Sequence, residues 1–301
     1  MKLIADATLE QVTDRQWQSR IMVDLKQHRY LLSHQIAGQA VIPSVFLLEM
    51  ALQLLQPVAK WPLVNTQASH ITAPRFAVVN PEQPTPLTFL LQQEAPESDF
   101  LLTVLSDKRN RSGKTVRQNI VVLTAKLAQV KAGEVSTHAG YQSLLQAMTD
   151  PASAANIDIV SRATVSEFQQ HAPSQLGCLF ATLDFDYRCH VPSNSLLAGA
   201  NLRNSAQYLL ANSTEPDLHS PVLACMAAVQ HIPFFSFLQG QVQLPSDIGQ
   251  LHYLGQAQDG RLTTVIQTSQ QGAGLNILQV NSHDLSPVAF FSNYQLVSRN
   301  L

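Results

Sequence analysis

From Tyr30 to Leu48 the chain carries no charged side chain, and beyond Pro43 it places Phe46, Leu47, Met50, Ala51, Leu54 and Leu55 at helical spacing. A helix this apolar has no face to turn to water, so a sheet must curl around it and bury it on nearly all sides. Ser44 is expected to cap its start, offering a side-chain oxygen to an unpaired backbone N–H. Just upstream, His34 is the one base of the stretch, with Gly38 four residues on and Pro43 five beyond that. The arrangement holds an imidazole in dry, closely packed surroundings.

The same demand recurs further on. Ser220-Pro221 opens a second apolar helix reaching Gln230, with Ser220 expected at the cap and Pro221 at the first helical position. Short strands surround both segments. In the first half the pattern predicts strands over Trp17–Leu25, Thr66–Ile71, Pro86–Gln92, Phe100–Leu105 and Val116–Val130. In the second half it predicts Leu179–Tyr187, Leu251–Ala257, Arg261–Thr268, Leu275–Asn281 and Val288–Val297. Between Lys131 and Asp158 the apolar pattern thins, with one short helix over Tyr141–Met148, and another follows at Val165–His171. The order is strand, buried helix, strands, then the same again, which reads as an internal repeat. The expected units are 1–131, a linker over 132–158, and 159–301.

Bulk properties remove several classes of function. The 301 residues are 45% hydrophobic and only 13% charged, with a net charge of −2, so nothing draws the chain to nucleic acid or to an anionic membrane. The longest uncharged run is broken by polar residues and Pro43, which makes it a poor membrane span. The start lacks the long apolar stretch of a secretory signal. Cys178, Cys189 and Cys225 are odd in number and lack metal-type spacing, so buried thiols in a reducing cytoplasm are expected, with no metal.

The combination His34-x-x-x-Gly38-x-x-x-x-Pro43 followed by a buried helix resembles the dehydratase domain of modular polyketide synthases. The resemblance runs over nearly the whole chain. It implies an α+β double hotdog, two copies of a central helix wrapped by an antiparallel sheet. Leu176-Gly177-Cys178-Leu179-Phe180 falls where the family has Tyr-Gly-x-x-Phe, with Leu176 in place of the tyrosine. The segment from Leu218 to Gln230 resembles the family's second-helix signature, which carries a catalytic aspartate. Here the candidates for that place are Ala224, Cys225 and Met226, so no register supplies a carboxylate.

That departure bears on chemistry. Removing water from a β-hydroxyacyl thioester needs a base for the α-proton and a donor for the departing hydroxide. The resemblance assigns the base to His34, while both groups that would handle the hydroxyl are replaced. Loss of general-acid help costs about 10²–10⁴-fold in rate, and a thiol is a weak donor. A base with a backbone donor near Gly38, placed to stabilise a thioester oxyanion, suffices for simpler proton transfer. The expected activity is therefore migration of a double bond in an enoyl thioester. Alternatives are oxa-Michael cyclisation, ordinary dehydration with a substituted acid, and a scaffold without catalysis. Gly38, Pro43, Leu176, Gly177, Cys225 and Met226 are the expected substrate-binding residues, and His34 the catalytic one. The resemblance implies no cofactor beyond the phosphopantetheine arm of an acyl carrier protein. It also implies contacts with other synthase domains, and it leaves room for a homodimer. The Lys108–Lys114 loop is a candidate to meet an acidic carrier, and a solvated hairpin tip is its plainer reading. Asp184, Asp186 and Asp217 receive no chemical role, and His219, just before the second helix, is expected in a loop or cap, with approach to the site as the alternative.

Overall fold

In a computed structural model, the structure describes residues 4, 7–96, 98–109, 114–130, 133–149, 157–171, 174–176, 183–190, 195–202, 220–240, 243–257, 260–269 and 274–297. Its first half runs β1 (Glu10–Thr13), β2 (Gln16–Val23), a 3-10 turn (Arg29–Ser33), β3 (His34–Ile36), β4 (Gln39–Ile42) and α1 (Ser44–Leu55). Then come β5 (Thr66–Thr72), β6 (Ala77–Val78), β7 (Thr85–Gln93), β8 (Phe100–Arg109) and β9 (Thr115–Gln129). Helix α2 (Ala139–Thr149), β10 (Ile157–Ile159), α3 (Arg162–His171) and β11 (Ser174–Leu176) follow. The second half continues with β12 (Leu183–His190), β13 (Ser195–Asn201), α4 (Val222–Leu238), β14 (Leu244–Tyr253), β15 (Arg261–Thr268), β16 (Leu275–Asn281) and β17 (Pro287–Val297).

The repeat expected from the sequence shows in the pairing. Among the described residues one sheet has 13 strands in the order β1-β2-β7-β8-β9-β5-β14-β17-β16-β15-β13-β12-β10. In the first half, the strand before the helix (β2) pairs with a three-strand meander (β7-β8-β9), which pairs with the strand after the helix (β5). In the second half the same roles fall to β13, β15-β16-β17 and β14. The two post-helix strands pair with each other, Leu251 opposite Ala68, and fuse the halves into one sheet. Both pairs of flanking strands wrap a buried helix, which is the α+β double hotdog.

The helices are buried as their composition requires. Eleven of the 12 residues of α1 are buried, and Met50 and Ala51 are 0% exposed. On α4, Ala227 is 1% exposed. Burying each such Leu or Phe contributes about 1.5–3 kcal/mol, and α1 and α4 also contact each other directly.

Several local expectations are corrected. Ser44 is the first helical residue and caps nothing; the N-cap is Pro43, whose carbonyl accepts from Phe46 N and Leu47 N. Likewise Pro221, not Ser220, is the N-cap of α4, because the Ser220 side chain is drawn elsewhere. Helix α4 runs past Gln230 to Leu238 through Pro233. Proline deletes one ladder hydrogen bond, and the surrounding core holds the helix together across it. The strand expected at Leu251–Ala257 is Leu244–Tyr253, and that at Leu179–Tyr187 is Leu183–His190. Helix α2, inside the expected linker, packs on the second half's sheet, with Leu144 buried beside Val265, Leu278 and Phe290. Cys225 is buried and Cys189 half-buried, both as free thiols; Cys178 and His219 lie outside the described residues.

Candidate functional site

The stretch around His34 is a hairpin that the sequence reading did not anticipate. Tyr30, fully buried and stacked on Phe46 at 5.6 Å between ring centroids, anchors the 3-10 turn that ends at His34. Strands β3 and β4 then pair through Gln35 and Ala40, with Ala37 (φ 49°) and Gly38 (φ 73°) forming the tight turn. Two consecutive left-handed residues give the turn a hand that matches the twist of its strands. This explains Gly38: the position is exposed, a Cβ there would meet nothing within 4 Å, and conformation rather than crowding demands glycine. The open space also leaves its backbone approachable.

The hairpin folds His34 back on its own strand partner. His34 Nδ1 lies 2.8 Å from the Val41 carbonyl oxygen. A carbonyl only accepts, so in the neutral ring Nδ1 carries the proton and Nε2 carries the basic lone pair. Burial lowers the proton affinity of His34 and the Val41 carbonyl raises it, burial dominating. The imidazole is neutral at neutral pH.

From the far half, β11 pairs with β3 so that Leu176 is the register partner of His34. The four-stranded sheet β11-β3-β4-β6 thus brings together two residues 142 positions apart that the resemblance set in one site. Pro43 ends this hairpin and starts α1, and is itself buried. Cys225 and Met226 lie in the first turns of α4, both buried. Gly177 lies outside the described residues.

Sequence reading passed over Glu49. It is the only ionisable residue of α1 and is 0% exposed. Its Oε2 accepts from Ser220 N at 2.8 Å and from Ser220 Oγ at 2.5 Å, and its Oε1 accepts from Gln53 Nε2 at 2.9 Å. Burial first, and the Glu49 charge second, push the Cys225 thiol well above the usual range. Tyr253 belongs to the same cluster: its hydroxyl is driven up by burial, then by Cys225 and Glu49. A lone acid within an otherwise apolar helix was the available signal, because such a group must find buried partners.

The fold is that of a dehydratase double hotdog. The chain superposes on the dehydratase domain from the CurF module of curacin polyketide synthase with a TM-score of 0.75 at 12% identity, covering 98% of each chain. The dehydratase domain of the polyketide PpsC from Mycobacterium tuberculosis matches with a TM-score of 0.71 at 12% identity, covering 99% of this chain and 98% of that one. The CurJ-module dehydratase gives 0.73 at 13% identity, covering 99% and 96%. Residues 3–107, which include His34, Gly38 and Pro43, match the family model described as "Polyketide synthase dehydratase domain". Residues 3–107 are thus similar by sequence to that family's model, and the whole chain has the fold of these dehydratase structures. Among curated proteins none matches the chain by sequence.

Proposed function

We propose that this domain moves a double bond along an enoyl thioester, with His34 as the single proton carrier. The observation that supports this most is the Val41 carbonyl bond, which leaves the basic lone pair on Nε2 of a neutral imidazole. His34 takes a γ-proton from an α,β-enoyl thioester, the dienolate charge spreads onto the thioester oxygen, and the same imidazolium returns a proton at the α-carbon. The Gly38 amide, on an open hairpin tip, is the proposed donor to that oxygen. No hydroxide leaves, so the step needs no acid at the place of the family's aspartate. The residue there by alignment on Pro221 is Cys225, a buried thiol held protonated too tightly to act as a useful acid. Pro43, Leu176, Gly177, Cys225 and Met226 would line the acyl chain. The substrate would arrive on the phosphopantetheine arm of an acyl carrier protein, beside other synthase domains, in the cytoplasm. No helix among the described residues is long and apolar enough to cross a membrane.

The test is deuterium uptake at the γ-carbon of a 2-pentenoyl carrier thioester in D₂O. Uptake is expected, and His34→Ala should lower it by about 10²–10⁴-fold. Because the neutral base is the active form, the rate should hold at high pH and fall as pH drops through a value below 6.5. Efficient His34-dependent water loss from a β-hydroxyacyl thioester would make the domain an ordinary dehydratase. Tight binding without uptake would make it a scaffold.

A further inference from the structure

Glu49 needs an explanation that packing does not provide. Moving a carboxylate out of water costs several kcal/mol, and well-packed apolar residues of similar volume usually serve stability as well or better. Yet this one is 0% exposed, set between two fully buried neighbours on α1, Leu48 and Met50. What it gains is a connection 171 residues long in sequence, to Ser220 N–H and Ser220 Oγ–H. Ser220 is itself buried, and it immediately precedes Pro221, the N-cap of α4. A carboxylate at this end also meets the favourable end of the helix dipole.

The geometry points to Glu49 as a positioning residue for the His34 site. Rooted in α1, its carboxylate fixes the first turn of α4, and so sets where Cys225 and Met226 stand relative to the base. This role rests on the proton-transfer reading above. In this role Glu49 acts through Ser220 and not on substrate, both of its oxygens being engaged by side-chain and backbone donors. Two points support a geometric purpose. Ser220 offers both of its donors to one oxygen, which fixes direction as well as distance, and Gln53 braces the other oxygen from one turn along α1. The next turn of α4 then carries Cys225, whose N–H bonds the Pro221 carbonyl at 2.9 Å, so a displacement of the N-cap is passed straight to position 225.

The experiment compares Glu49→Gln, Glu49→Ala and Ser220→Ala in the full chain. Backbone amide exchange is read over Ser220–Met226, and kcat and KM are read for γ-deuteration of 2-pentenoyl pantetheine. Glu49→Gln keeps an oxygen for Ser220 and should stay within about tenfold of the parent kcat. Glu49→Ala should lose protection in the first turn of α4 and drop kcat by about 10²-fold, the scale of a misplaced reacting group. Ser220→Ala, which keeps the backbone donor and the fold, should fall between them, with KM changed less than kcat. Unchanged kcat and KM in the folded fraction of all three variants would overturn the role. So would full protection of Ser220–Met226 in Glu49→Ala. Should the parent chain show no deuteration, the proton-transfer reading fails separately. Positioning is then judged by amide protection together with affinity for 2-pentenoyl pantetheine. Equal affinity and equal protection across the variants would reject it.

Discussion

The two halves share a strand order and a buried central helix, yet they meet the site with different chemistry. The first half presents a hairpin carrying His34 and a helix whose only ionisable group, Glu49, is turned away from water. The second presents a helix start with a buried thiol and thioether at Cys225 and Met226. A repeated fold need not repeat its chemistry. In the proposed reading one copy supplies the base and the other the wall of the site, and what the structure joins between them is the Glu49 carboxyl of the first copy and Ser220 of the second. Each half also buries a histidine beside a tyrosine hydroxyl, His28 Nδ1 at 3.2 Å from Tyr30 and His231 Nδ1 at 3.4 Å from Tyr187, whereas His34 is only half-buried.

The largest expected effect comes from giving the second half the acid it lacks. Cys225→Asp with Leu176→Tyr should create dehydration of a β-hydroxyacyl thioester, gaining up to about 10²–10⁴-fold over the parent. An aspartate at 225 stands near Glu49, and a like charge raises a carboxyl's pKa, favouring the protonated form that a donor needs. If product analysis shows no dehydration while γ-deuteration persists, the His34 hairpin and the start of α4 do not face one substrate.

Next come paired core truncations. Leu48→Ala in α1 and Ile232→Ala in α4, both 0% exposed, should each cost about 2–5 kcal/mol. Since β5 and β14 join the halves in one sheet, chemical denaturation should show one transition shifted in both variants. Two transitions, each sensitive to one substitution, would mean that the halves fold separately.

Acid sensitivity should reside more in the second half. Burial lowers the pKa of His231 to about 3 and that of His252 to about 4. With an unfolded value near 6.5, the unfolded chain binds more protons between those limits, so stability is complete above pH 6.5 and declines as pH falls toward 3. His231 alone should account for about 2 kcal/mol between pH 6.5 and 5. His231→Leu should flatten that slope, measured by urea denaturation at a series of pH values. An unchanged slope would show that the imidazole is not buried as described.

The smallest effect belongs to the hairpin tip. Gly38→Ala should cost about 1–2 kcal/mol, since a side chain must adopt φ near 73°. Thermal melts read the loss, and a stabilised variant would contradict the turn geometry.

Much of this architecture is legible without coordinates, for a physical reason. Two segments as apolar as Val45–Leu55 and Val222–Gln230 can only be interior, and period and turn residues outline the strands around them. Arg261–Thr268 and Leu275–Asn281 match the expected strands at both ends. Local reading failed where a group had two uses. Ser44 and Ser220 both carry the residue type of a cap, but one enters the helix and the other is claimed by Glu49. The β3–β4 hairpin was hidden because its strands are only three and four residues long.

The site divides along the same line. Composition and spacing singled out His34, Gly38 and Pro43 because they are neighbours in sequence, and local conformation governs them. Only the tertiary structure could set Leu176 opposite His34, give the imidazole its tautomer through Val41, and join Glu49 to Ser220. Each of these depends on contacts closed by the folded sheet, and a buried charge reveals its purpose only when its partner is seen.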